Sequence, residues 1–275
     1  MMNLGNTSPI KTDGQRPGAP TEGLQKRLDE YWDKRASAYH SYQLSSGRAS
    51  VDRALWRRIF LSRLPRPHGG VRILDVGCGS GYLTNLLTEE GFDVTGIDSS
   101  QGMLTAARAD AIERAERHVD SARFVLADAV SVTASGLARA GAFAPFDAVV
   151  CRFVLWTLRD PVAALRRWAT LVRPGGRIVC VDASWYPEGV PGDLDVDSEA
   201  GPDAFRNTYN PTTLSLLPLA TAHGELEFME AFEDAGLTEV AVNPVPEVQE
   251  YDRVFGTAPG HESRPHFVAS ARVPA

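Results

Sequence analysis

Three glycines lie within five residues, directly after a short apolar run. The stretch ILDVGCGSGYL (73–83) places Gly77, Gly79 and Gly81 between Asp75 and a further apolar pair. Glycine gives up more chain entropy on folding than any other residue. Its repeated use at a junction between strand-like and helix-like segments therefore predicts a ligand lying against these peptide groups. The spacing is G-x-G-x-G, whereas dinucleotide-binding turns use G-x-G-x-x-G.

Three aspartates stand at the ends of three successive strand-like runs. Asp75 ends ILD, Asp98 lies in GIDSS, and Asp128 lies in LADAV. The first carboxylate suits an ammonium group, the second both hydroxyls of a ribose, and the third an exocyclic amine of adenine. No Walker-type G-K-[ST] is present to hold phosphates. An adenosine with a cationic amino-acid tail therefore fits these groups better than a pyrophosphate does.

Simpler interpretations of the same polar residues remain open. Asp75 could cap a helix, Ser99 or Ser100 could cap the following helix, and Asp128 could cap a turn. These readings require no ligand.

The elements that must position these residues follow from a pattern that begins at residue 71. Short β-rich runs are predicted as strands at 71–76, 92–97, 122–127, 146–151, 177–183, 237–242 and 265–273. Amphipathic stretches between and after them predict helices at 80–90, 100–117, 161–172 and 224–236. The alternation predicts an α/β fold: a doubly wound, mostly parallel sheet of seven strands with helices on both faces.

The remaining segments predict three additional parts. Residues 1–22 are rich in Gly, Pro and polar residues and predict a disordered tail. Residues 23–66 hold two helical patterns, 24–43 and 51–64, and predict an N-terminal helical lid. Residues 67–275 form the α/β domain, interrupted after the fifth strand by an insertion at 184–222 that we expect to cover the substrate.

Five segments in order resemble the class I S-adenosylmethionine-dependent methyltransferases, over roughly residues 31–183. They are ILDVGCGSGYLT, VTGIDSSQGML, FVLADAV, FDAVVCRFVLWTLRDPVAAL and LVRPGGRIVCVDA. Within this superfamily, the sequence most resembles the branch that contains ubiquinone- and menaquinone-pathway enzymes and natural-product methyltransferases. The resemblance implies this fold, S-adenosyl-L-methionine as cofactor and methyl transfer as activity. The cofactor-binding residues it implies are Tyr39, Asp75, Gly77, Cys78, Gly79, Asp98, Ser99, Met103, Asp128, Ala129, Cys151 and Arg152. Met103 could instead be core, and Arg152 could pair with Asp160.

Composition limits the class of partner. The formal net charge is −7 and the pI about 5.4, which argues against a nucleic-acid backbone as main partner. No apolar run is long enough to span a bilayer, and the three cysteines lack metal-ligand spacing. We expect a cytoplasmic monomer or homodimer that binds no metal, nucleic acid or membrane.

The acceptor is expected to be a small molecule. The segment after the fourth strand reads CRFV, where nucleobase and amide methylating branches carry an N/D-P-P-Y run. Aromatic residues of the lid and insertion suit a flat or apolar substrate, and the candidate pocket residues are Tyr31, Trp32, Trp156, Trp185, Tyr186, Tyr209 and His223. His40 is the candidate catalytic base, with His223 as a second. The atom methylated stays open.

Two other functions remain compatible with the sequence. The cofactor fold could serve a different reaction, such as cyclisation or decarboxylation. The chain could also be a binding module without catalysis.

Overall fold

The computed structural model describes residues 22–44, 49–117, 122–192, 204–257 and 262–275. The strands are β1 Arg72–Val76, β2 Asp93–Asp98, β3 Arg123–Leu126, β4 Phe146–Arg152, β5 Val172–Ala183, β6 Thr238–Pro244 and β7 His266–Arg272. The helices are α1 Glu22–Leu44, α2 Ala49–Leu61, α3 Tyr82–Glu89, α4 Gln101–Glu116, α5 Ala134–Arg139, α6 Pro161–Ala169, α7 Ala204–Thr208, α8 Pro211–Leu214, α9 Glu225–Asp234 and α10 Pro246–Phe255. A 3-10 turn, Leu155–Thr157, follows β4.

The strands form one seven-stranded sheet in the order β3-β2-β1-β4-β5-β7-β6. β1 to β5 run parallel, and β7 lies antiparallel between β5 and β6. The predicted α/β fold with a mostly parallel, doubly wound sheet is confirmed. The strand order reverses between β1 and β4, and in such sheets ligands bind outside the carboxyl ends of the strands at this point.

Alternate residues of the central strands supply two cores, one on each face of the sheet. Leu74 of β1 and Val149 of β4 belong to one core. Ile73 of β1 and Val150 of β4 belong to the other. Because neighbouring side chains of a strand point to opposite faces, a strand covered on both faces reads as a continuous apolar run. This is why the strands were recognisable in the sequence.

Several boundaries differ from the sequence prediction. The helices α5 and α10 were not predicted, and β5 begins at Val172 instead of 177 because Gly175 (φ 72°) lets the RPGG segment turn within the strand. The expected irregular insertion contains the short helices α7 and α8. Its residues 193–203 and the predicted tail, up to residue 21, lie outside the described residues.

Candidate active site

The glycine turn and Asp98 face one cavity at the switch point of the sheet. Gly77 (φ 65°) and Gly79 (φ 54°) have left-handed backbones, which glycine adopts without strain. The backbone N–H groups of Gly79 and Ser100 donate to the two oxygens of the Asp98 carboxylate, each at 2.8 Å. These bonds fix the carboxylate where it lines the cavity.

Burial raises the pKa of Asp98 to about 6, and the bonds from Ser100 and Gly79 favour its ionised form. Donors from a bound diol would favour that form further. The site therefore suits a ligand that presents hydroxyl groups to this carboxylate.

The cavity encloses about 800 Å³ of empty space, part of it open to solvent. A Cβ built at Gly79 would have no neighbour closer than the Met103 sulfur at 3.9 Å. A ligand can therefore approach the backbone of the glycine turn. Predicted cofactor residues that line the cavity are Tyr39, Gly77, Gly79, Asp98, Ser99, Met103, Ala129 and Arg152. This set fits a ribose at Asp98 and an extended tail along the glycines.

Asp75 lies behind the glycine turn and is 1% exposed. The Thr84 hydroxyl donates to it at 2.5 Å. Burial raises its pKa to about 7, with Thr84 and Arg152 opposing the shift. Gly81, not Asp75, occupies the N-cap of α3, so the helix-cap interpretation of Asp75 was wrong.

Two predicted cofactor cysteines are buried in the core and do not line the cavity. Cys78 packs against Leu104 and Phe124, and a Cβ at Gly96 would lie 2.9 Å from its sulfur. Cys151 is fully buried on β4 beside Cys180. Neither thiol is placed to contact a ligand in this cavity, although the backbone at 78 belongs to the glycine turn.

Asp128 is occupied by protein partners. Its Oδ1 accepts from the backbone N–H groups of Val130 at 2.8 Å and Ser131 at 2.9 Å. Its Oδ2 lies 2.8 Å from the Arg159 guanidinium. The structure therefore gives Asp128 the turn-capping role that was the alternative to contact with an adenine amine, while Ala129 beside it lines the cavity.

Helix α1 covers the cavity and is fixed to the start of α4. The Ser99 hydroxyl donates to Asp29 at 2.7 Å, and the Ser100 hydroxyl donates to Asp33 at 2.6 Å. Ser100 also caps α4, accepting from the backbone N–H of Met103 at 3.0 Å. The predicted capping role of Ser100 is thus present together with the contact to the lid.

Arg152 and Phe153, at the end of β4, line both this cavity and a second one. The Arg152 guanidinium stands 4.8 Å from the ring centre of Tyr82 and 4.9 Å from that of Trp56. Asp160 does not pair with Arg152; it caps α6 by accepting from the backbone N–H of Ala163. Phe153 has a left-handed backbone (φ 62°), and such strain in a non-glycine residue clusters at functional sites.

The second cavity holds about 600 Å³ of empty space, part of it open to solvent. Its walls come from α1, α2, β4, β7, α10 and the segments after β5 and α10. The residues are Tyr39, Tyr42, Gln43, Asp52, Trp56, Arg152, Phe153, Trp185, Val248, Tyr251, Asp252, Thr257, Glu262 and His266. Tyr39, Arg152 and Phe153 belong to both cavities, so ligands in the two would be neighbours.

The predicted acceptor-pocket aromatics divide into two groups. Trp32 lines the first cavity and Trp185 the second. The other four pack in a closed cluster, at most 5% exposed, and line neither cavity: Tyr31, Trp156, Tyr186 and Tyr209. For these four the structure replaces the predicted substrate contact with lid core, because α1, α7 and the 3-10 turn bury their rings against one another.

The two predicted histidine bases lie apart from both cavities. His40 faces a small pocket with Arg114 and Asp110. His223 is exposed before α9, and its backbone N–H donates to Glu227. Sequence reasoning missed His266, Asp252, Phe153 and Arg159. The pattern PHFVASARV predicted β7 but not its direction. Because β7 runs antiparallel to β5, His266 lies opposite Ala183 at the edge of the site.

The described residues give no support for a metal site or for a membrane-spanning helix. No three His, Cys, Asp or Glu side chains are grouped there to hold a metal ion. None of the helices in those ranges has the length and apolarity to cross a membrane.

Residues 74–180 match the model of a methyltransferase domain family. Curated relatives include ubiquinone biosynthesis O-methyltransferases of Ruegeria pomeroyi, 36% identical over 123 residues, and of Stutzerimonas stutzeri, 35% identical over 109 residues. These alignments cover 45% and 40% of this chain. The chain spans less than half of either relative, 45% and 43% of their lengths.

Solved structures with a similar fold cover nearly the whole chain. Geranyl diphosphate C-methyltransferase of Streptomyces coelicolor has a TM-score of 0.62 at 14% identity, covering 94% of this chain and 100% of that one. Magnesium protoporphyrin IX methyltransferase of Synechocystis, solved with S-adenosylhomocysteine, has 0.56 at 17%, covering 90% and 99%. The [4+2]-cyclase SpnF has 0.55 at 19%, covering 92% and 96%. With the glycine turn, Asp98 and the strand order, these comparisons show a methyltransferase domain over residues 74–180 in a chain that has the fold of the class I S-adenosyl-L-methionine-dependent methyltransferases.

Proposed function

We propose that the protein transfers a methyl group from S-adenosyl-L-methionine to a small-molecule acceptor. The observation that carries this is the Asp98 carboxylate, held by the N–H groups of Gly79 and Ser100 and lining the cavity at the switch point of the sheet. The ribose hydroxyls would donate to Asp98. The methionine tail would run along the glycine turn.

The residues of this chain would chiefly position the acceptor next to the cofactor and exclude water from both. The cofactor supplies a methyl group already activated on a sulfonium, so the protein must align the acceptor with it and exclude water. The lid helix α1 covers the cavity through Asp29 and Asp33. Arg152 and Phe153 stand where the two cavities meet. The second cavity would hold the acceptor.

A small acceptor suits this arrangement. The named relatives act in ubiquinone biosynthesis as O-methyltransferases, which supports a quinone-like or other small acceptor. The net charge of −7 disfavours a nucleic acid. We further propose a cytoplasmic protein that works as a monomer or homodimer, with residues 23–66 and 184–222 as the lid.

Calorimetry with S-adenosyl-L-methionine tests the cofactor site. Each hydrogen bond to a charged acceptor contributes about 1.5–3 kcal/mol, so Asp98→Ala should weaken binding roughly tenfold to over a hundredfold. The matched control is Asp93→Ala, at the exposed start of the same strand, which should bind as the wild type does. Unchanged binding by a folded Asp98→Ala variant would remove this residue from the site.

Methyl transfer itself needs a second experiment. The protein is incubated with methyl-labelled cofactor and a panel of small metabolites, and S-adenosylhomocysteine and labelled product are measured together. Label in a product establishes the activity. Cofactor binding without transfer to any acceptor, but with chemical conversion of one, would favour the alternative of a different reaction on the same fold, as in the structurally similar cyclase. Binding without any conversion would favour a module without catalysis.

A further inference from the structure

His266 occupies a special place in the second cavity. It is the first residue of β7, and because β7 is antiparallel to β5, His266 pairs with Ala183 at the carboxyl edge of the sheet. Ligands of such sheets bind at that edge. The residue is 3% exposed, yet it lines the cavity.

Two rings hold the imidazole in place. The ring centre of His266 lies 5.3 Å from that of Phe153 and 5.4 Å from that of Trp185, the latter nearly perpendicular at 85°. Phe153 lines both cavities. His266 is therefore anchored next to the junction where a methyl group and an acceptor would meet.

A carboxylate faces one nitrogen of the ring. Asp252 of α10 lines the same cavity, and its Oδ2 lies 3.9 Å from His266 Nδ1. This is an ion-pair distance, beyond the range of a hydrogen bond, and a carboxylate so placed favours the protonated imidazole. The other charged or titratable groups around this cavity are Tyr39, Tyr42, Asp52, Arg152, Tyr251 and Glu262.

The walls of the cavity define the shape of its ligand. Trp56, Phe153 and Trp185 present rings, with Phe153 packed edge-to-face on both tryptophans at 5.6 Å and 5.3 Å. Such walls favour a flat ligand. A flat ligand whose ionisable hydroxyl lies next to His266 would be a phenol or an enol.

We propose that the second cavity binds an acceptor with an ionisable hydroxyl on a flat ring, and that His266, with the Asp252 carboxylate at ion-pair distance, takes the hydroxyl proton. This rests on the proposed methyl transfer. The proton would move from the acceptor oxygen to His266 Nε2, and that oxygen would form the new bond to the methyl carbon. The S–C bond would break with its electron pair staying on sulfur. Asp252 would stabilise the imidazolium electrostatically.

The test uses 4-nitrophenol, whose ionised form absorbs visible light, with the full-length protein at about pH 6, near the ordinary pKa of histidine. Wild-type protein should bind the probe and increase the phenolate absorbance. His266→Phe keeps a ring between Phe153 and Trp185 but cannot take a proton, so it should bind the probe with no such increase. Asp252→Asn should give a smaller increase and move the rise to lower pH. His68→Gln, at an exposed position, should match the wild type.

Each result decides a separate point. No binding of 4-nitrophenol by the wild type would overturn the assignment of the cavity to hydroxylated rings. Equal phenolate formation by His266→Phe would overturn the role of His266. Binding of S-adenosyl-L-methionine is measured by calorimetry on the same samples. Because neither variant changes Asp98 in the first cavity, both should bind the cofactor as the wild type does, which shows that they are folded and tests the proposed function separately. For a hydroxyl acceptor found in the labelled-methyl screen, His266→Phe should lower kcat about 10²–10⁴-fold.

Discussion

The backbone N–H of Gly102 donates to the Asp33 carboxylate at 2.8 Å, and a Cβ built at Gly102 would lie 2.7 Å from the carbonyl oxygen of Asp33. This glycine therefore lets lid helix α1 approach the first turn of α4 more closely than any other residue type would. The carboxylate also accepts from the Ser100 hydroxyl at 2.6 Å. The lid position thus depends on a missing side chain.

Gly102→Ala should loosen the lid without unfolding the domain. A methyl group within 2.7 Å of backbone must push α1 away, although alanine itself favours the helix. We expect about tenfold faster hydrogen exchange in 24–43 and weaker cofactor binding, with unchanged exchange in β4. Thr105→Ala, exposed on the same helix, is the control. Wild-type exchange in the lid of Gly102→Ala would show that the contact does not hold it.

Gly79→Val tests whether a ligand lies against the glycine turn. The space near its Cβ is open up to Met103 at 3.9 Å, so the new side chain would occupy the cavity without a clash against protein. Its left-handed backbone costs roughly 1–2 kcal/mol. Gly141→Val, also left-handed (φ 77°) with nothing within 4 Å, carries the same strain far from the cavity. Calorimetry should show that only Gly79→Val loses cofactor binding. If Gly79→Val binds the cofactor as well as Gly141→Val does, the ligand does not lie against the glycine turn.

The course of the strands was readable from sequence because both faces of the sheet are buried. The central strands are rich in apolar residues; β2 ends at Asp98, and Asp75 is the last residue but one of β1. Those endings also located the cavity, since the carboxyl ends of parallel strands share one edge.

Other parts of the site depend on tertiary geometry that no local pattern carries. His266 reaches the site because β7 is antiparallel, and Phe153, the residue directly after β4, has a left-handed backbone. The aromatic residues of the lid and insertion were visible in sequence. The packing of α1 against α7 decides which of them line a cavity and which pack together. Tyr209 and Trp156, for example, pack with their ring centres 4.9 Å apart. Helix α10, beginning at Pro246, carried a helix-start signal that was missed.

The buried carboxyl of Asp75 should make stability depend on pH. Its pKa is raised by burial from 3.8 to about 7, so between these values the folded state holds a proton that the unfolded state has lost. The free energy of unfolding therefore falls as pH rises from about 4 to about 7. At 1.36 kcal/mol for each pKa unit, Asp75 contributes at most roughly 4 kcal/mol of this decrease.

Asp75→Asn should remove that part of the pH dependence. Urea unfolding of the ligand-free protein at a series of pH values should show a flatter profile for the variant, which gains stability relative to the wild type as the pH rises from about 4 to about 7 and keeps that gain at higher pH. Asp93→Asn, exposed at the start of β2, should keep the wild-type slope. An unchanged slope in Asp75→Asn would mean that Asp75 is ionised throughout.

Arg159 connects the turn after β3 to the lid. Its guanidinium lies 2.8 Å from Asp128 and also donates to Gln25 of α1. Gln25 in turn donates to Asp29 at 2.9 Å. In this arrangement Asp128 acts on the cofactor site through Arg159, whereas direct contact with an adenine amine would make Asp128 act independently of Arg159.

A double-mutant cycle separates the two roles of Asp128. Arg159→Met should weaken binding of S-adenosyl-L-methionine about tenfold, because the lid loses its contact with Arg159. Asp128→Asn keeps an acceptor for the Val130 and Ser131 N–H groups but loses the ion pair, so it should weaken binding less. The two effects should not add, since residues of one network are coupled: the double variant should bind as Arg159→Met does. Calorimetry on all four proteins measures this, and fully additive losses would restore Asp128 as a direct adenine ligand.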